Sequence, residues 1–236
     1  MKPNKPDHGR WLMVALYAVA MAWVEAAVVF YLRTLVNRID PYQPNPLPIA
    51  AGLDEAELVR ELATLVMLFA VGWLAGATWR ARIAFSAFAF GVWDIFYYLF
   101  LRIMTGWPRS LVNWDVLFLI PLPWWGPVWA PVSIALLMIL WGTLITQFEL
   151  SPGSPGIRWR CLASGGIGVA LALFVFMADA IRAADKGTEA LRTMLPVRFN
   201  SPLFCVALAL MAFPVAEVMG QGLRARRRLE ANEQSV

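Results

Sequence analysis

The sequence is poor in metal-binding side chains and in charge. Its 236 residues include one histidine and two cysteines, and only 15% of the side chains are charged. Haem, copper, zinc and non-haem iron sites depend on histidine and cysteine, so we expect no cofactor and no metal centre of these kinds. These counts do not exclude a site in which carboxylates hold a hard cation. Two cysteines exclude a disulfide scaffold, and the low charge excludes a soluble nucleotide-binding fold and a nucleic-acid-binding module.

Apolar side chains are abundant instead. They make up 60% of the residues, and the mean hydropathy is +0.60. A bilayer-spanning helix takes roughly 20 apolar residues, and six stretches are long enough. The sequence therefore predicts an all-α, polytopic membrane protein with one transmembrane domain over residues 11–222, between an N-terminal tail (1–10) and a basic C-terminal tail (223–236). The predicted spans are 11–32, 59–78, 83–104, 128–148, 161–181 and 202–222.

The distribution of basic residues predicts the orientation. Six spans place both termini and the connections after spans 2 and 4 on the same side of the membrane. On that side the basic residues outnumber the four acids Asp7, Glu149, Glu230 and Glu233. The positive-inside rule makes this side cytoplasmic, as expected in a bacterial-type inner membrane. We also expect the first span to stay uncleaved, since its apolar run continues to Leu32. The basic residues are Lys2, Lys5, Arg10, Arg80, Arg82, Arg158, Arg160, Arg224, Arg226, Arg227 and Arg228.

Four carboxylates lie inside the predicted spans and toward the outer leaflet: Glu25, Glu61, Asp94 and Asp179. A charged side chain near the bilayer centre costs about 2.5 to 3.5 kcal/mol, so such groups face the bundle interior with a partner. We expect these four to converge on one pocket that opens to the extracytoplasmic side. Arg60 directly precedes Glu61 and joins it as a candidate.

The third span contains a polar stripe. Its residues recur every four positions and therefore lie on one helical face, with Tyr97 beside them. The spacing predicts that Tyr98 donates a hydrogen bond to Asp94 and that Arg102 neutralises Asp94 or reaches a lipid headgroup. A buried structural pair is the alternative. The stripe comprises Ser86, Phe90, Asp94, Tyr98 and Arg102.

Residues 105–131 are rich in proline and tryptophan. A continuous helix from Asp115 to Phe148 would be about 50 Å long, more than the ~30 Å hydrocarbon core, so we predict a proline-broken or re-entrant segment before helix 4. Broken backbone at that depth must be buried in protein or line a wet cavity, which makes the segment a wall of the Asp94 pocket. Two acids follow a tryptophan, in Trp93-Asp94 and Trp114-Asp115. Aromatic faces beside carboxylates suit an organic cation or a sugar-like ligand.

Three functions fit these features. The first is the binding or transport of a small molecule or cation, with proton coupling. The second is a non-catalytic subunit or assembly factor of a larger membrane complex, and the third is a carboxylate-based enzyme acting on a lipid-linked substrate, for which no catalytic residue is identified. We expect membrane lipids as partners, no nucleic acid, and a homo-oligomer or membrane complex. The candidate ligand-binding residues are Glu25, Arg60, Glu61, Trp93, Asp94, Tyr98, Arg102, Trp114 and Asp115.

Overall fold

A computed structural model describes residues 8–43, 53–147, 159–187, 190–191 and 194–233. Its helices confirm the predicted all-α class, and six of them are long and apolar enough to cross a membrane. The protein is therefore a multi-pass membrane protein. The side chains of the basic C-terminal tail (223–236), including Arg224, Arg226, Arg227 and Arg228, lie outside the described part of the chain. The helices are α1 (His8–Leu35), α2 (Leu53–Ala75), α3 (Trp79–Thr105), α4 (Trp129–Gln147), α5 (Trp159–Ala184) and α6 (Ser201–Glu233).

Helix α3 lies at the centre of one part of the bundle, where it packs against α1, α2 and α4. Helix α6 packs against α5 and α4. Small residues allow the close approach of α3 and α4, because a Cβ atom on Gly91 would lie 2.5 Å from the Ala135 carbonyl oxygen. On the outside, large apolar side chains such as Leu74 and Ile103 are exposed, as a lipid-facing surface requires.

Helix boundaries differ from the predicted spans where local hydrogen bonding decides them. The second span was predicted to run to residue 78, but α2 ends at Ala75 and α3 begins at Trp79. Thr78 caps α3, its hydroxyl accepting from the Ala81 amide at 3.2 Å. At the other end of the chain, α6 continues to Glu233 beyond the apolar stretch. Hydropathy does not register a cap or a polar helical extension.

The broken segment before α4 forms a short hairpin. Strand β1 (Trp114–Val116) pairs antiparallel with β2 (Trp125–Pro127), and Asp115 lies opposite Gly126. The amide of Leu117 donates to the Trp124 carbonyl at 2.8 Å, which continues the pairing toward the tip. The strand pairing satisfies backbone N–H and C=O groups that would be bonded within a helix if the segment were helical. The predicted interruption before helix 4 is confirmed, and it takes the form of a hairpin.

The tip of this hairpin lies beside the middle of α3. The Phe118 ring centroid is 6.3 Å from that of Phe90 and 6.5 Å from that of Trp93. On the opposite side, Trp124 stacks on Phe176 of α5 at 6.4 Å. The hairpin thus lies between α3 and α5, and its Asp115 interacts electrostatically with Asp94.

Candidate functional site

Five carboxyl groups and two guanidinium groups of the described residues form one electrostatic network, which we call the acidic cluster. Helices α1, α2 and α3 and strand β1 all contribute to it. Two tyrosines lie among the charged groups. The members are Glu25, Arg33, Glu57, Arg60, Glu61, Asp94, Tyr97, Tyr98 and Asp115.

Arg60 joins α2 to α1. Its guanidinium forms ion pairs with Glu25 and with Glu57, one turn earlier on its own helix. The Thr64 hydroxyl donates to the second Glu25 oxygen at 3.1 Å. Glu25 and Thr64 are buried, whereas 21% of the Arg60 side chain and 23% of the Glu57 side chain are exposed. Arg60 and Glu57 therefore form the more open edge of the cluster.

Glu61 holds the tip of the hairpin. The Leu119 amide donates to both oxygens of its carboxylate, at 3.1 and 2.8 Å. The Ile120 amide also interacts with this carboxylate. Glu61 therefore stabilises the broken backbone, a role that its position on α2 alone did not indicate.

Arg33 and Asp115 form the most buried ion pair among the described residues, with Nη2 2.8 Å from Oδ1. Only 1% of the Asp115 side chain is exposed, and the Arg33 guanidinium also lies 4.2 Å from the centroid of the Trp107 ring. Tyr98 interacts electrostatically with Asp115, whose second oxygen, Oδ2, is buried without a hydrogen-bond partner. Asp115 lies on the connection between α3 and α4, outside the six spans. Burial raises the pKa of its carboxyl, and the Arg33 charge opposes that rise.

Asp94 lacks a basic partner among the described residues. The residue is 7% exposed, and its Oδ2 atom is buried without a hydrogen-bond partner. The charged group that interacts with it is another acid, Asp115. The predicted neutralisation by Arg102 is wrong: Arg102 is exposed and donates to the Pro108 carbonyl, because the chain turns back past the end of α3.

Two further expectations about the stripe and the pocket are corrected. The described residues show no hydrogen bond from Tyr98 to Asp94; Tyr98 interacts electrostatically with both Asp115 and Asp94, because the hairpin places a second carboxyl on the same side of α3. Asp179 does not join the cluster but pairs with Arg182 on its own helix at 3.2 Å, and 74% of the Arg182 side chain is exposed. Asp179 therefore does not join the other acids, whereas a common pocket for Glu25, Glu61 and Asp94 stays a prediction: Glu25 pairs with Arg60, Glu61 with the Leu119 amide, and Asp94 interacts with Asp115.

The predicted aromatic residues are divided between two places. Trp93 lies at the cluster, where it stacks with Tyr97 at 5.9 Å. Trp114 stacks on Tyr42 at 5.6 Å instead, because successive side chains of a strand point to opposite faces and Asp115 takes the inner face. The two Trp-Asp pairs of the sequence therefore do not occupy equivalent positions in the structure.

Sequence reasoning left Arg33, Glu57, Thr64 and Tyr97 out of the candidate residues. A signal existed for Arg33, which is eight residues after Glu25 and so lies on the same face of α1. Tyr97 interacts electrostatically with Arg60 of the open edge and with the buried Asp115. No sequence signal identified this role, since it depends on the hairpin.

The cluster contains more acid than base. With Arg33 and Arg60 both engaged, the charge balance calls for protons or a bound cation. Among the described residues, no three potential ligands gather closely enough to hold a metal ion.

Comparison with known proteins adds no assignment. No family model, no curated protein and no solved structure matches the chain. The function is therefore argued from the cluster itself.

Proposed function

We propose that this protein binds a small organic cation at Asp94 and exchanges it for protons. In this proposal it resides in a bacterial-type inner membrane with both termini in the cytoplasm. The acidic cluster then opens to the extracytoplasmic side. The observation that carries the proposal is the buried Asp94 carboxyl, whose Oδ2 has no partner and whose charged neighbour is Asp115.

The energetics of burial support a cation or proton at this position. An isolated carboxylate in a low-dielectric interior costs several kcal/mol unless a positive group compensates it. Arg33 is engaged by Asp115, and Arg60 is engaged by Glu25 and Glu57. Either a proton or a bound cation removes the cost at Asp94, which makes the two alternatives compete for one carboxyl.

The surroundings of Asp94 favour an organic cation over a metal ion. The stacked rings of Trp93 and Tyr97 and the nearby Phe118 supply aromatic faces. Such faces attract alkylammonium groups by cation–π interaction, whereas a small metal ion requires several converging oxygen ligands. The partly exposed Glu57 and Arg60 mark the side from which a cation would enter.

Thermal unfolding of the purified protein tests the proposal. We expect tetramethylammonium to raise the melting temperature of the wild type in a concentration-dependent way, more at pH 8 than at pH 5, because a proton competes for Asp94. Asp94→Asn should abolish this shift. Asp179→Asn is the matched control, since it removes an acid from a separate ion pair, and it should retain the shift.

Two results would contradict the proposal. One is a wild type that no alkylammonium ion stabilises at any pH. The other is an Asp94→Asn variant that is stabilised as much as the wild type. If the cation binds, uptake of radiolabelled tetramethylammonium into proteoliposomes with an imposed pH gradient measures whether the bound cation is exchanged for protons.

A further inference from the structure

Helix α2 is held to the rest of the protein in two different ways along its length. In its second half, Leu68 is 2% exposed, and Gly72 and Ala75 are buried as well. Gly72 brings the backbone of α2 against α3, because a Cβ atom on it would lie 2.1 Å from the Ser86 hydroxyl oxygen. This anchored half, residues 68–75, is therefore fixed by close packing.

The first half of the helix, residues 55–67, lacks such packing. All of its apolar side chains are exposed, among them Val59 at 67% and Leu62 at 56%. The two buried residues of this half, Glu61 and Thr64, are both polar. No buried apolar side chain of residues 55–67 therefore attaches this half to its neighbours.

Polar groups of the acidic cluster hold the first half in place instead. The Thr64 hydroxyl donates to Glu25 of α1 at 3.1 Å, and Arg60 forms an ion pair with the same carboxylate. Glu61 accepts from the Leu119 amide of the hairpin at 2.8 Å. Water can replace such contacts when the partners separate, whereas the separation of apolar surfaces has no comparable compensation. The first half can therefore leave its neighbours without losing apolar burial.

We propose that residues 55–67 form a gate over the acidic cluster, which opens by moving away from α1 and the hairpin while residues 68–75 stay fixed. Opening separates Thr64 and Arg60 from Glu25, and it admits water and solutes to that carboxylate. Parts of a protein that bury little apolar surface open at a lower free-energy cost than the packed core. The gate serves any ligand of the acidic cluster, so this inference goes beyond the proposed cation exchange and does not depend on it.

Two cysteine substitutions on the buried face of α2 test the gate. Thr64 and Leu68 are one helical turn apart and are 1% and 2% exposed, so the closed structure hides both positions equally. We expect a water-soluble methanethiosulfonate reagent to modify the Thr64→Cys thiol at least about tenfold faster than the Leu68→Cys thiol. Mass spectrometry of the digested protein assigns the label to its position and separates it from the native Cys161 and Cys205.

A second substitution in each cysteine variant tests what keeps the gate closed. Arg60→Gln removes the ion pairs with Glu25 and Glu57, and it should accelerate labelling at position 64 by about tenfold without changing position 68. Ser86→Ala is the matched control, because it removes a 3.3 Å hydrogen bond to the Phe69 carbonyl in the anchored half. It should leave both rates unchanged.

Three results would overturn the gate. One is a Thr64→Cys thiol as unreactive as the Leu68→Cys thiol, and this comparison decides the matter if the Arg60→Gln variants do not fold. Another is a rate at position 64 that folded Arg60→Gln leaves unchanged, because the two positions then differ only in depth. The third is an equal acceleration at both positions, which means that the whole helix loosens. Selective labelling in a protein that tetramethylammonium does not stabilise supports the gate while the proposed function fails.

Discussion

The Arg33 guanidinium lies 2.8 Å from the Asp115 carboxylate and thereby joins the C-terminal end of α1 to the first strand of the hairpin. The two residues are 82 positions apart in the chain. The same guanidinium donates to the Ile39 carbonyl at 3.3 Å and lies over the Trp107 ring. One side chain therefore holds together the end of α1, the turn after α3 and strand β1.

Replacing Arg33 with glutamine should destabilise the protein strongly. The substitution leaves Asp115 buried without a charge partner, and breaking a buried pair in this way costs about 3 kcal/mol or more. Unfolding in mixed detergent micelles measures the loss. Arg182→Gln is the matched control, because its partner Asp179 belongs to an exposed pair and the cost should stay under about 1 kcal/mol. Equal losses in the two variants would contradict the assigned importance of the Arg33–Asp115 pair.

The pH dependence of stability should identify Asp115. Because burial raises its pKa above the ordinary value of 3.8, the folded protein binds a proton there at a pH where the unfolded chain does not. The contribution of Asp115 to the free energy of unfolding therefore increases as the pH falls from the raised pKa toward 3.8. It is lost as the pH rises above the raised pKa. We expect the melting temperature of Asp115→Asn to depend less on pH over this window than that of the wild type. A steeper dependence in the variant would reverse the predicted sign.

Removing the Glu61 carboxylate should loosen the hairpin tip. Glu61→Ala deletes the acceptor of the Leu119 amide, and a hydrogen bond to a charged group is worth about 1.5 to 3 kcal/mol. Hydrogen exchange in a peptide covering residues 117–123 should become roughly tenfold faster or more. Glu55→Ala is the control on the same helix, where the side chain is exposed, and it should leave exchange unchanged. Unchanged exchange in Glu61→Ala would show that the tip is held by its own packing.

Two glycine substitutions should have opposite effects. A Cβ atom at Gly91 would lie 2.5 Å from the Ala135 carbonyl oxygen, so Gly91→Ala should separate α3 from α4 and cost about 1 to 3 kcal/mol. At Gly166, in α5, a Cβ atom meets nothing within 4 Å. Gly166→Ala should therefore be neutral or stabilising by about 0.5 to 1 kcal/mol, because alanine loses less entropy in a helix. Mixed-micelle unfolding compares them, and a tolerated Gly91→Ala would contradict the close helix contact.

Much of the fold could be predicted from residue order, because each span depends on a local run of apolar side chains. The burial of Glu25, Glu61 and Asp94 followed from their positions within those runs, and the prolines predicted the interruption before α4. Helix ends were less predictable, since Thr78 starts α3 through a capping hydrogen bond that hydropathy does not register. The expected Arg102 and Asp94 pair failed for a related reason: helical spacing brought the two side chains to one face, but a nearby carbonyl was available to Arg102.

Composition and hydropathy by themselves determined that this chain crosses a membrane and that its buried acids need compensation, because the cost of charge in lipid applies in any arrangement of the helices. Only the tertiary structure decided which group compensates which acid. Arg33 meets Asp115 and Glu61 meets the Leu119 amide because the hairpin folds back beside α3. Contacts between residues so far apart in the chain arise from packing, and no local pattern encodes them. The same packing leaves the Asp94 oxygen unpaired beside the hairpin.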